Sequence, residues 1–312
     1  MPSGALIAEA DRQLPQGRQV FLDHVAHFVR DKEAARAALA RAGFAPTPIS
    51  IQENADPSGK PHPNGTGNVT AMLRRGYIEA LFKTADTPLG LELDAAIARY
   101  AGVRLAAFSV ADAAQVHQRL ARNGFSVRPL VAMQRPVATE RGEGLAAFTL
   151  ARVEPREMPE GRIQFLTHRT EDTVWQQRWL AHPNTALGLL GLLIAVADVE
   201  EVSKRFARFT GKPVRANRFG QLLQLDRGHL QFVGADVFAK LVPGAPLPPL
   251  PFMGAYGIAV RSLAALAGRL RGAGMRARDE RGAVIAAFPD ELGQGAWVFV
   301  EEGANLPWRS TE

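Results

Sequence analysis

Residues 21–44, FLDHVAHFVRDKEAARAALARAGF, read as a short apolar strand running directly into a helix. Asp31 stands where a helix N-cap is needed, because its carboxylate can accept from the free amides of the first turn. Ala35, Leu39 and Ala42 then recur at helical spacing, and Gly43 supplies the residue that tolerates a left-handed C′ position. The strand carries two histidines three residues apart. Strand alternation puts Leu22, His24, Ala26 and Phe28 on one face and Asp23, Val25, His27 and Val29 on the other. The two imidazoles therefore oppose each other. His27 is expected on the helix side, near Asp23, in a structural role.

The same pattern returns three times, at 103–125, 190–212 and 255–275. The caps are Asp112, Asp198 and Ser262, and the closing glycines are Gly124, Gly211 and Gly274. From cap to glycine the four copies measure 12, 12, 13 and 12 residues. Three strand-like segments follow each glycine, with a polar insertion at 52–67 in the first copy. Each unit is βαβββ and leaves one sheet face bare, so units should pair. The expected class is α+β: four modules paired into two domains, with curved mixed sheets and helices outside. The expected divisions are an N-terminal extension (1–20), a first pair (21–169), a connecting helix (170–185), a second pair (186–302) and a tail (303–312). Trp175 and Trp179, four apart, would share a face of the connecting helix.

Composition narrows the chemistry. With no cysteine, thiol nucleophiles, disulfides and zinc–thiolate centres are excluded. Residues 1–20 lack the features of a signal peptide. The longest apolar run, ALGLLGLLIAVA at 186–197, has 12 residues, below the roughly 20 of a membrane span. A soluble, cytoplasmic protein is expected, with no membrane partner. The net charge of +6 comes from scattered arginines without a basic block or nucleic-acid motif. It reads as a solvated surface, or as a field favourable to a small anionic substrate, and no nucleic-acid partner is expected.

A βαβββ repeat with His on its first strand and Glu on its last resembles the vicinal oxygen chelate superfamily of glyoxalase I, extradiol dioxygenases and bleomycin-resistance-type binding proteins. The words LDHVAHFV, GTGNVTAMLRRGYIEAL, MPEGRIQFLTH and HPNTALGL are most similar to glyoxalase-like-domain proteins. The resemblance implies two curved sheets of vicinal-oxygen-chelate type, each enclosing a cleft lined by first and last strands. It places His24 and Glu79 at metal-ligand positions. Aligning the second unit on the first puts Leu105 opposite His24 and Gln164 opposite Glu79. Leucine cannot bind metal, so the set reduces to His24, Glu79 and Gln164. An imidazole, a carboxylate and an amide oxygen could hold Ni, Mn, Fe, Co or Zn; a metal-free cleft is the alternative. Salt bridging of Glu79 to an arginine such as Arg74 is the non-catalytic reading of that carboxylate.

If a metal binds, the ion would stabilise an enediolate or similar oxyanion while Glu79 shuttles a proton and His168 acts beside it. His62, Asn64 and Asn68 in GKPHPNGTGN (59–68) suggest a donor-rich lid, and Arg135 and Glu140 in AMQRPVATERGEG (132–144) suggest a substrate clamp. Asn68, Arg135, Glu140, His62 and Trp175 are the expected substrate contacts. His182 would orient the linker or touch ligand. The second pair carries Gly191, about Ala255, Gln231 and an apolar residue near Phe299 at the ligand positions, so it is expected to stabilise or dimerise the protein or to bind an apolar ligand; its His229 is expected to be exposed. VPGAPLPPLPF (242–252) reads as a rigid connector. Two functions stay open: a metal-dependent lyase, isomerase or dioxygenase acting on a small oxygen-rich molecule, and a metal-free protein that sequesters a small molecule. A homodimer is a further expectation.

Overall fold

The structure, a computed structural model, describes residues 11–56, 58–280 and 282–309. The first ten residues of the expected N-terminal extension and the last three residues of the tail lie outside them. The first unit comprises β1 (Val20–Val29), α1 (Lys32–Arg41), β2 (Ser50–Ala55), β3 (Pro61–Met72) and β4 (Tyr77–Lys83). After α2 (Pro88–Arg99) come β5 (Gly102–Val110), α3 (Ala113–Arg122), β6 (Val131–Thr139), β7 (Gly142–Arg152) and β8 (Arg162–His168). A short α4 (Glu171–Val174) precedes β9 (Ala186–Ala195), α5 (Val199–Thr210), β10 (Val214–Asn217), β11 (Gly220–Gln224) and β12 (His229–Val233). Then follow α6 (Ala235–Leu241), β13 (Phe252–Val260), α7 (Leu263–Gly272), β14 (Ala277–Glu280), β15 (Ala283–Ala287) and β16 (Ala296–Glu301). All four predicted caps, Asp31, Asp112, Asp198 and Ser262, accept from amides of their helices' first turns.

Within each half the first strands of the two units pair antiparallel, and each also pairs in parallel with its own unit's last strand. The N-terminal strands run β1-β4-β3-β2-β6-β7-β8-β5 and close into a barrel, whereas the C-terminal sheet, β10-β11-β12-β9-β13-β16-β15-β14, stays open. The difference lies in the second strands. Residues 52–67, expected as a polar loop, instead extend the β2–β3 hairpin, so β2 reaches β6 through Glu53↔Gln134 and Asn54↔Met133. In the other half β10 and β14 are four residues long and form separate edges.

Strict alternation fails at one recurrent place. Besides an irregularity at Leu187 near the start of β9, the β1–β5 ladder skips Asp23 on one strand and Arg104 on the other, and the β9–β13 ladder skips Leu190 and Gly254. Each is a β-bulge immediately before the position equivalent to His24. An inserted residue re-aims the side chains on either side of it. Leu22, expected to share a face with His24, therefore packs with Val25 and Val29 in the core between the sheets, while Ala26 and Phe28 face the barrel interior.

That larger core joins the helix-bearing faces of both halves. His27 lies within it, buried as expected but bonded to the other half rather than near Asp23. Its Nδ1–H donates to the Leu292 carbonyl at 2.8 Å, and its Nε2 accepts from the Tyr256 hydroxyl at 2.8 Å. Burial pushes this histidine down to about 4. His182 is likewise structural: its Nδ1 accepts from the Ala45 amide and its Nε2–H donates to the Met72 carbonyl. The connector expected as one helix is a four-residue α4 followed by a 3-10 turn at Gln177–Trp179. Trp175 leaves the helical region (φ −96°, ψ 67°) and turns its indole onto His168 and Tyr77, so the two tryptophans do not share a helix face.

Candidate functional site

The bulge at Asp23 builds the centre of the barrel. Freed from the ladder, its carboxylate meets two imidazoles: Asp23 Oδ1 lies 2.7 Å from His24 Nδ1, and Oδ2 lies 2.8 Å from His168 Nε2. Burial opposes ionisation of this carboxyl, but His168 and His24 beside it hold it well below the usual carboxylate range. An ionised Asp23 accepts an N–H from each ring. In its neutral form His24 therefore carries its lone pair on Nε2, directed at Glu79, whose Oε2 is 3.7 Å away. His168 Nδ1 is buried without a hydrogen-bond partner among the described residues.

Glu79 is anchored at one oxygen. Asn68 Nδ2 and Gln52 Nε2 donate to Oε1 at 2.5 and 3.1 Å, leaving Oε2 facing His24. These amides, rather than Arg74, answer the burial of the carboxylate. Tyr77 stacks on His24 with ring centroids 4.3 Å apart. Burial, with the charges of Asp23 and Glu79, pushes the Tyr77 phenol well above its ordinary range, so its hydroxyl stays protonated.

The second unit supplies the opposite wall. The register confirms the equivalences read from sequence: Leu105 pairs with Arg162 and Ala107 with Gln164, as His24 pairs with Tyr77 and Ala26 with Glu79. Gln164 Oε1 accepts from Arg152 Nε at 2.8 Å. Arg135, only 5% exposed, lines the same cavity, and among the described residues its guanidinium has neither a hydrogen bond nor an ion pair within 4 Å. Burial lowers its guanidinium, partly opposed by the Glu79 carboxylate. The space between these side chains amounts to about 20 Å³, room for roughly one water.

This arrangement does not fit a divalent ion held by His24, Glu79 and Gln164. The first two could converge on an ion, but the Gln164 oxygen is committed to Arg152, and three arginines, Arg135, Arg152 and Arg162, line the same cavity, where they would repel a cation. Among the described residues no group of three His, Cys, Asp or Glu side chains is placed to hold a metal.

The structure brings His24, Asn68, Glu79, Arg135 and Gln164 into one cavity, with His168 and Trp175 packed behind it. It leaves two expected contacts outside. His62 is exposed at the start of β3 and pairs with Asp56, because the hairpin extension carries it away from the cavity. Glu140 sits exposed in the turn between β6 and β7. The sequence reading missed Asp23, Gln52, Tyr77, Arg152 and Arg162. Tyr77 was detectable, since alternation puts it on the face of Glu79. Asp23 was not, because a bulge leaves no periodic trace.

The profile of a family described as "Glyoxalase-like domain" matches residues 22–210. No curated protein matches the sequence. Among solved structures, a hypothetical protein from Staphylococcus aureus superposes with TM-score 0.62 at 11% identity, over 90% of this chain and 99% of that one. A mutant 4-hydroxymandelate synthase from Streptomyces coelicolor gives 0.54 at 12% identity, covering 94% and 96%. A Mn(II)-bound glyoxalase from Novosphingobium aromaticivorans gives 0.52 at 13% identity, covering 94% and 86%. At these identities the likeness is one of fold. Among the described residues no helix is long and apolar enough to cross a membrane.

Proposed function

The chain belongs to the glyoxalase-like domain family, and within it we propose that the N-terminal barrel binds a small carboxylate-bearing molecule and transfers a proton on it. The observation that carries this reading is Arg135, a buried guanidinium without an ion-pair partner, in the cavity that holds the His24–Glu79 pair. Glu79 acts on it only through space and commits Oε1 to two amides, so a ligand carboxylate would supply the contacting anion that this buried cation lacks. A carboxylate accepting from the Arg135 fork would hold the C–H next to a carbonyl group, C3 of a 2-oxo acid or C2 of a 2-hydroxy acid, over Glu79. Glu79 Oε2 takes the proton, the C–H electron pair moves onto the neighbouring carbonyl oxygen, and a protonated His24, oriented by Asp23, donates from Nε2 to that oxygen. Return of the proton to a different carbon makes an isomerase; departure of a group makes a lyase. The inner space is too small for such a ligand, so entry requires movement, and the β2–β6 seam, with two residue pairs, is the least paired part of the wall.

The test is exchange of carbon-bound protons for deuterium, followed by NMR in D2O with small 2-oxo and 2-hydroxy carboxylates as probes. We expect catalysed exchange that survives chelator treatment and falls by about 10²–10⁴-fold in Glu79→Gln. Exchange abolished by chelator, with stoichiometric metal that His24→Ala and Glu79→Gln both lose, would overturn the metal-free reading. Binding of the probes by wild type without exchange would leave a sequestering protein.

A further inference from the structure

Outside the His24–Glu79 centre lies a larger cavity of about 310 Å³, bordered by Phe28, Glu92, Arg104, Arg128, Arg152 and Arg162. Its charges are unbalanced: four guanidinium groups face two carboxylates, Glu92 and Glu154. Both carboxylates are engaged at the rim, where Arg128 reaches Glu92 at 2.7 Å and Glu154 at 3.1 Å. Arg162 approaches Glu92 only to 3.8 Å.

Arg104 is the telling group. It is 6% exposed, and its Nε and Nη1 have no hydrogen-bond acceptor among the described residues. The guanidinium lies over the Tyr100 ring at 4.3 Å, which fixes its plane without using its donors. Its direction comes from the β5 bulge, the same device that turns Asp23 toward two imidazoles in the first unit. Beside it, burial and the nearby charges of Arg162 and Arg128 push the Arg152 guanidinium down to about 9. Four like charges are thus gathered around one space with only two carboxylates, both bonded to Arg128, to answer them. Phe28, Met158 and Ile163 give the same cavity an apolar side.

We propose that this cavity is a binding site for a phosphate group, held by Arg104, Arg152 and Arg162. The surplus of two positive charges matches a doubly ionised tetrahedral oxyanion better than a single carboxylate, and guanidinium forks suit its several acceptor oxygens. The apolar side would take the carbon skeleton of a phosphorylated small molecule. The site does not depend on proton transfer in the inner cavity, since it is read by binding alone.

Calorimetric titration with inorganic phosphate, at fixed ionic strength and neutral pH, tests this on the whole chain, with acetate as the singly charged comparison. Wild type is expected to bind one phosphate and to prefer it over acetate. Arg104→Met should weaken phosphate binding at least tenfold, and Arg104→Lys should weaken it less. Arg135→Met, which alters only the inner cavity, should change it less than twofold. Should Arg104→Met fail to fold, Arg162→Met carries the same expectation. No phosphate binding by wild type, or binding untouched by Arg104→Met or by Arg162→Met, overturns the proposal. Phosphate binding together with absent proton exchange would sink the inner-site reading alone.

Discussion

The barrel and the open sheet are built from one unit, and they differ in what stands at equivalent positions. The four equivalent bulges carry Asp23, Arg104, Leu190 and Gly254. The positions after them hold His24, Leu105, Gly191 and Ala255. Their parallel neighbours on the last strands are Glu79, Gln164, Gln231 and Val298, two residues along in register. In the barrel the polar groups point inward and several lack partners. In the open sheet the chain fills its own concavity. Phe238 of α6 occupies the place a side chain at 254 would need, and the His229 ring lies against Gly191. Trp308 Nε1–H donates to His229 Nε2 at 2.9 Å, so this histidine, expected to be exposed, is buried. The comparison teaches that the unit does not by itself make a binding cleft. A cleft persists where the interior is polar and under-satisfied, and it disappears where α6 and the tail supply apolar cover.

The strongest way to break that comparison is to remove the cover. Trp308 is fully buried. Trp308→Ala should cost about 3–5 kcal/mol, from lost burial and the cavity left behind, and it deprives His229 of its donor. Urea unfolding measures it. A loss below about 1 kcal/mol would mean that the tail merely rests on the sheet.

Next in size is the contact between the halves. His27, held at about 4 against an ordinary 6.5, is neutral in the folded chain. Its folded value is depressed, so below 6.5 the unfolded chain binds the proton that the folded chain refuses. The stability contributed is complete above pH 6.5 and is lost as pH falls toward 4, about 3 kcal/mol in all. His27→Gln should flatten the fall in stability between pH 6.5 and 4 by about that amount. An unchanged slope would show that the two sheets do not meet through a neutral imidazole.

The repeat made the fold legible, because caps and glycines at 12- or 13-residue spacing survive divergence that erases core identities. His24, Glu79 and Gln164 could be placed because strand alternation and repeat alignment fix faces, whereas Asn68 and Arg135, expected in loops entering the cleft, reach it from β3 and β6. What escaped was whatever breaks the period. The bulge turned Leu22 outward and Asp23 inward. The insertion at 52–67 became strand and closed the barrel, carrying His62 away. The commitment of the Gln164 oxygen to Arg152 depends on β7 lying beside β8, a pairing that identifies a neighbour but not which of its atoms bond.

The finest discrimination comes from a substitution expected to act in opposite directions on stability and function. Arg135 lies in the barrel interior as Trp308 lies in the other concavity, but it has no acceptor within bonding distance among the described residues. Methionine has similar length and no charge to desolvate. Removing the guanidinium relieves its burial, while Glu79 loses the favourable field of a nearby cation. The balance should be a gain of about 1 kcal/mol, since buried charges replaced by apolar groups of similar volume are often neutral or stabilising. Arg135→Met should therefore melt slightly higher than wild type and lose affinity for the carboxylate probes. A loss of 2 kcal/mol or more would instead make Arg135 part of the packing that holds the barrel, as Trp308 is on the other side. The contrast between a filled interior and a receptive one would then fail at the residue on which it most depends.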